Sequence, residues 1–161
     1  MSGLNIARAG LLVTVLCLST AAASAATTPF TAMAGSWSGG GVLSTTDGGQ
    51  ERLRCRADYN VVAGGDELRL NLRCASDSFN FDLASSVEYR GGAISGSWRE
   101  ATRNASGTIS GRAVGDHVEA AARGNNFSAN LYLTTRGRRQ TVSIHPQGTN
   151  VRGVSLALER R

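Results

Sequence analysis

The sequence predicts an all-β domain, an antiparallel up-and-down meander of about nine or ten strands closed into a barrel. Three observations carry that prediction. Cys55 and Cys74 are mirror images about Gly64-Gly65, as a hairpin turning there requires. On both sides of that turn apolar residues alternate with polar ones at period two, the mark of a half-buried strand. The same construction recurs along the chain at turns spaced by about 12 residues.

The chain opens on a different pattern. Arg8 is followed by the apolar run 11–18, and Ala23-Ser24-Ala25 matches the small-x-small cleavage signature of a signal peptide. The run is far shorter than the roughly 20 residues a membrane span needs. A buried N-terminal helix is the competing reading, and the cleavage signature favours export. Cys17 follows Val15-Leu16, whereas a lipoprotein cysteine follows a small residue, so it is expected to leave with the leader. The organisation read from this is a signal peptide over 1–25, a linker over 26–34 and one β-barrel domain over 35–161. The protein is then periplasmic or secreted, with no transmembrane span after cleavage.

All 17 basic side chains are arginine, and the formal net charge is +5, one unit of it from Arg8. A chain without lysine reflects a compositional trait, so an arginine is not by itself evidence that its planar fork is needed. Two cysteines outside the leader of an exported chain read as one disulfide rather than a metal site.

Around Gly64-Gly65, Val61 meets Leu68, Tyr59 meets Leu70, Ala57 meets Leu72 and Cys55 meets Cys74, all on one face. The other face carries Arg54, Arg56, Asp58, Asn60, Glu67, Arg69, Asn71 and Arg73. Gly-Gly tolerates the positive φ of a tight hairpin. Opposed residues at this offset are expected about 5.5 Å apart at Cα, within reach of a disulfide. Downstream, Val87 and Tyr89 face Ile94, Gly96 and Trp98 about Gly91-Gly92. Ile109, Gly111 and Ala113 face Val118, Ala120 and Ala122 about Gly115-Asp116. Those face Phe127, Ala129, Leu131 and Leu133 about Gly124-Asn125, and Leu131 and Leu133 face Ile144 and Val142 about Gly137-Arg138. A slip of one residue in any hairpin would turn its apolar set to the wrong side. Looser turns fall at 46–49, 75–79, 101–106 and 146–150. Val154, Leu156 and Leu158 stay in phase only if the loop after Pro146 has an odd length or contains a bulge.

One apolar face per strand is most simply buried by closing the sheet, which also removes sticky edges. A two-sheet β-sandwich is the alternative. A membrane barrel would need an apolar outer face over strands of about 9–11 residues; shorter strands and an outer face of Arg, Asn, Asp and Glu argue against it.

Gly35-Ser36-Trp37, at the start of the first strand, resembles the G-x-W signature of calycins, the group of lipocalins, fatty-acid-binding proteins, avidins and small bacterial protease-inhibitor barrels. The resemblance implies that Gly35 and Trp37 plug one barrel end, with Arg152 or Arg160 packed on the indole. It also implies a calycin-like binding protein. Gly96-Ser97-Trp98 repeats the tripeptide mid-chain, where a lipocalin does not carry it. The whole chain is also similar to small exported bacterial proteins, which implies a compartment and no activity.

Chemistry-bearing motifs are sparse. His117 stands at a turn edge and His145 beside Pro146, with no Cys, His or carboxylate at ligand spacing, so no metal is expected. No nucleophile elbow, phosphate loop or paired-carboxylate motif occurs. The expectation is a protein that is not an enzyme and carries no cofactor. Inside the barrel, large Tyr59, Phe79, Phe81, Tyr89, Trp98 and Phe127 alternate with small Ala57, Gly96, Gly111, Ala113, Ala120, Ala122 and Ala129. A round barrel would keep a cavity for a small apolar ligand; a flattened one would bring its walls together. Outside, Arg54, Arg56 and Arg73 lie on the disulfide hairpin with Arg52 and Arg69, while Arg136, Arg138 and Arg139 crowd one tip. These are candidate contacts for an anionic envelope component or an acidic protein, which makes an interaction or inhibitor module the alternative function. Nucleic acid is not expected, because no aromatic platform is interleaved with these arginines and Tyr132 is the one outward aromatic near them.

Overall fold

Each alternating segment forms a strand, and each turn sends the chain back along it. The computed structural model describes residues 28–161, so the expected signal peptide lies outside the described residues. The strands are β1 (Gly35–Thr45), β2 (Gln50–Val62), β3 (Glu67–Ala75), β4 (Asn80–Arg90), β5 (Ala93–Glu100), β6 (Ala105–Val114), β7 (His117–Gly124), β8 (Phe127–Arg136), β9 (Arg139–Gln147) and β10 (Val151–Arg160). Every strand pairs antiparallel with its sequence neighbours, and β1 pairs with β10, so ten strands close into a barrel without a free edge. The meander expected from the sequence is present, as a barrel and not as a sandwich.

The register follows the mirror symmetry of the turns. Across β2 and β3, Val61 opposes Leu68, Tyr59 opposes Leu70, Ala57 opposes Leu72 and Cys55 opposes Cys74, and the two cysteines form a disulfide. Their Cα atoms are 4.1 Å apart, closer than the expected 5.5 Å or so and near the roughly 4.5 Å at which non-hydrogen-bonded antiparallel pairs approach. The connection itself is longer than a two-residue turn, with a short 3₁₀ segment, Ala63–Gly65, in which Gly64 and Gly65 supply the positive φ.

Three further details differ from expectation. Between β7 and β8 the chain reverses at Asn125-Asn126, not Gly124-Asn125, so Ala122 opposes Ala129 and Gly124 opposes Phe127. Asn126 takes the left-handed conformation, φ 55°, and the shift of two residues keeps the apolar face inward. The final hairpin keeps its phase by an odd loop, three residues between β9 and β10, and a bulge lies instead in the β1–β10 ladder, where Ser44 opposes Gly153 while Thr45 opposes Val151. Val151 and Val154 are therefore both buried. The strands also span 8 to 13 residues, so shortness does not separate this barrel from a membrane one. The direction of its faces does: apolar side chains point in and arginines point out, the reverse of a lipid-facing barrel.

The segment expected as linker is part of the core. Pro29–Met33 forms a 3₁₀ turn, with Pro at its start, and buries Phe30 and Met33 among the inward residues of the barrel. Phe30 meets Tyr89 edge to face, with ring centroids 6.1 Å apart. A second inward cluster, near the other end, gathers Trp98, Ala122 and Ala129 with Leu83, Ile109, Phe127 and Leu131.

Candidate functional site

The barrel has two unlike ends. At one, the 3₁₀ turn Pro29–Met33 lies beside Trp37, whose indole N–H donates to the Met33 carbonyl at 2.8 Å. The Arg160 guanidinium sits over the Trp37 ring, 4.7 Å from its centroid, and donates to the Ala32 carbonyl. Of the two arginines that could have packed there, β10 places Arg160 on the indole. Gly35 has φ 116° and turns the chain into β1. Deeper in, Tyr59 is edge to face with Trp37 and donates its hydroxyl proton to Gln140 Oε1 at 2.8 Å. The Gln140 amide donates in turn to Thr135 Oγ1 at 3.1 Å. Burial pushes the Tyr59 phenol well above its ordinary range, so Tyr59 remains a donor. This buried network locks the closed end.

The lumen wall is uneven. On β1, β2 and β10 the inward Trp37, Leu43, Leu53, Ala57, Leu156 and Leu158 are all buried. On β3 through β9 the inward Leu70, Leu72, Leu83, Ile109, Leu131 and Val142 keep part of their surface accessible. The β6–β7–β8 sector is lined mainly by small residues, because Gly107, Gly111, Ala113, Ala120, Ala122 and Ala129 share the inward parity. Gly111 has a second reason to be glycine: a Cβ there would collide with the Glu119 carbonyl across the ladder, so its absence lets β6 and β7 bend tightly into the curve. Ser85 is an inward hydroxyl midway along β4, between Leu70 and Trp98 across the two ladders, and makes no hydrogen bond among the described residues. Trp98 lies against Gly107 and Gly124, with Phe127 edge to face at 5.5 Å. Its buried indole N–H has no acceptor among the described residues.

The expected interior aromatics thus divide. Tyr59 and Tyr89 belong to the closed end, while Trp98 and Phe127 share the inward cluster towards the other. Phe79 and Phe81 stack at that second end with ring centroids 6.5 Å apart, and the Arg103 guanidinium covers Phe81 at 4.8 Å. Beside them is a buried carboxylate, Glu100. It accepts from the backbone N–H of Asp82 at 3.0 Å, of Thr102 at 3.1 Å and of Arg103 at 2.8 Å, and from the Thr102 hydroxyl at 2.6 Å. Burial alone would raise its pKa, but these donors together hold it below the ordinary glutamate range. Gln140, Glu100 and Ser85 were legible by parity, since each stands in an inward alternating position; their polarity there was the signal.

The outer arginines are not equivalent. Arg136 pairs with Asp116 at 2.5 Å, Arg138 donates to the Arg160 carbonyl at 2.7 Å and Arg139 faces Glu159 at 3.9 Å. The hydrogen bond from Arg136 holds the Asp116 carboxyl below its ordinary range. The tip is therefore largely occupied with itself. Arg54, Arg56 and Arg73 instead border an outer depression over β1–β3. Both histidines are on the outer face: His117 contacts Asp116 and Thr134, while His145 contacts Ser143 and lies edge to face with Tyr132.

No protein-family model matches the chain, and no curated protein sequence matches it either. Among solved structures, Rv2717c from M. tuberculosis is similar with a TM-score of 0.65 at 12% identity, over 81% of this chain and 93% of that one. The S-type phycobiliprotein lyase CPES from Guillardia theta is similar with a TM-score of 0.61 at 12% identity, over 82% of this chain and 89% of that one. The second neighbour corrects one expectation. A barrel of this shape is described as a lyase, so the lack of a catalytic motif in the sequence does not place this chain outside the enzymes. At this identity the likeness shows the fold alone, a closed antiparallel β-barrel.

Proposed function

We propose that the protein is an exported binding protein that holds a small apolar or amphipathic molecule in the barrel lumen, with the polar end of the molecule at Ser85. The observation that carries this reading is the pairing of ten strands with a wall of glycine and alanine. Eight strands already enclose an interior that side chains can just fill or that holds one small ligand, and the diameter grows with strand number. The small β6–β8 wall adds room where the inward surface is partly accessible. The lyase neighbour supports a ligand-handling barrel at the level of fold. The disulfide and the leader-like N-terminus support an oxidising compartment outside the cytoplasm.

The test uses 1-aminoanthracene, an uncharged apolar fluorophore, and the Ala120→Leu variant. Ala120 faces the lumen in the small wall, so leucine fills the proposed space from inside. We expect saturable one-to-one binding by the native chain and at least a tenfold weaker affinity in the variant, with thermal stability kept. If the native chain fails to bind saturably, or Ala120→Leu costs the roughly 1–3 kcal/mol of an overpacked core, the lumen is already filled and the reading is wrong.

A further inference from the structure

The outer face of β1–β3 holds a second feature, independent of the lumen. A depression of about 390 Å³ lies over the disulfide, bordered by Ser38, Arg54, Arg56, Arg73 and Arg161. Between the arginines it is lined by Gly39, Cys55, Cys74 and Ala75, none of which carries a long side chain, so the space stays open. We propose that this groove is an anion site for a phosphate-bearing group, clamped by the guanidinium groups of Arg54, Arg56, Arg73 and Arg161.

Five observations point there. Arg56 and Arg73 are directly opposed across the β2–β3 ladder, an arrangement of like charges that destabilises a sheet unless an anion lies between them. Arg54 and Arg56 have neither a hydrogen-bond acceptor nor an ion-pair partner among the described residues, in contrast to the tip arginines. Arg73 has a single carboxylate, Asp82, at 3.3 Å, and the Arg73 side chain is largely exposed. Arg161 is turned back over β1 by donating from Nε to Ser38 Oγ at 2.9 Å, which brings its guanidinium into the ring. Under all of them the Cys55–Cys74 bond ties β2 to β3, so the arginines stand on a fixed platform. Guanidinium forks match phosphate oxygens two at a time, and several converging forks favour a phosphate over a single carboxylate.

Two sources could present that group, a soluble phosphorylated molecule or the headgroup of an anionic lipid, and two probes separate them. Inorganic pyrophosphate is titrated into the folded chain while backbone amide shifts are followed. Flotation with phosphatidylcholine vesicles, with and without phosphatidylglycerol, is the second arm. Shifts confined to Ser38–Gly40, Arg54–Arg56 and Arg73–Ala75 with no flotation assign a soluble ligand; flotation that requires phosphatidylglycerol assigns the headgroup. In either arm, replacing Arg54 and Arg56 together by Gln should weaken binding about 25-fold, about fivefold for each charge. Replacing Arg136, Arg138 and Arg139 by Gln should leave it within twofold. The proposal is overturned if neither probe binds, if the groove variant binds like the native chain, or if the tip variant weakens binding as much as the groove variant. Far-ultraviolet dichroism on each variant confirms that the barrel is intact. Because the probes never enter the lumen, failure here leaves the lumen reading standing.

Discussion

Glu100 is the residue at which local chemistry most clearly governs stability. A carboxylate placed inward at the end of β5 would be expelled by an apolar barrel, yet it accepts from three backbone amides and a hydroxyl and so organises the turn into β6. Its folded pKa is lower than the ordinary 4.5. The unfolded chain then binds the proton more readily, so the stability Glu100 adds is complete above about pH 4.5 and is lost as the pH falls through the lowered value. Glu100→Gln should cost about 1–3 kcal/mol at neutral pH. Denaturant melts across the acid range should show a flatter pH dependence in the variant than in the native chain. A parallel pH profile would mean that the four donors do not favour the ionised form. Reading Glu100 from sequence alone needed one step that periodicity permits: it follows Ile94, Gly96 and Trp98 at period two, so it had to face inward. Its partners were invisible, because they come from a turn geometry and from Asp82 on a neighbouring strand.

At the scale of elements, the disulfide hairpin shows why symmetry in a sequence is informative about sheets. Antiparallel pairing preserves the sum of residue numbers, so a turn centre dictates every partner along both strands, and the centre at Gly64-Gly65 dictates Cys55 with Cys74. Cys74→Ser should remove about 3 kcal/mol, chiefly by freeing the unfolded chain. Thermal melts should show the loss, while far-ultraviolet dichroism of the variant stays that of a β-barrel because the remaining ladders are untouched. Collapse of the β signal would mean that the bond, and not the ladder, defines the hairpin. The hairpin from β7 to β8 shows how far such reasoning reaches. A Gly does not by itself mark the turn: Gly124 is paired in the ladder with Phe127, and Asn126 takes the left-handed conformation. The error was two residues, so the inward face survived it. The β1–β10 ladder carries a bulge at Ser44 and Thr45 that no residue type announces.

At the scale of the whole molecule, closure joins the two ends of the described chain. β1 and β10 pair across a wall of eight intervening strands, so the barrel is a unit dominated by long-range contacts. The closed end is then sealed by a segment outside the sheet. Phe30 inserts from the 3₁₀ turn against Tyr89, and Arg160 holds that turn down over Trp37. Phe30→Ala should cost about 3–5 kcal/mol and speed hydrogen exchange at Tyr59 and Gln140, whose network it shields, more than at Trp98 in the other cluster. Uniform acceleration along the barrel would show that the plug contributes global packing only.

Alternation and turn positions, which one linear string records, were enough to place the strands in a meander, turn their apolar faces inward and pair Cys55 with Cys74. They also separated arginines outside from aromatics inside. Other features exist only where strands far apart in sequence meet. Those are the closure of β1 on β10, the choice of Arg160 over Trp37, the burial of residues 29–33 as a plug, and the contrast between a self-paired tip and an open arginine groove. Periodicity assigns a side chain to a face, and only curvature brings that face opposite its distant partners.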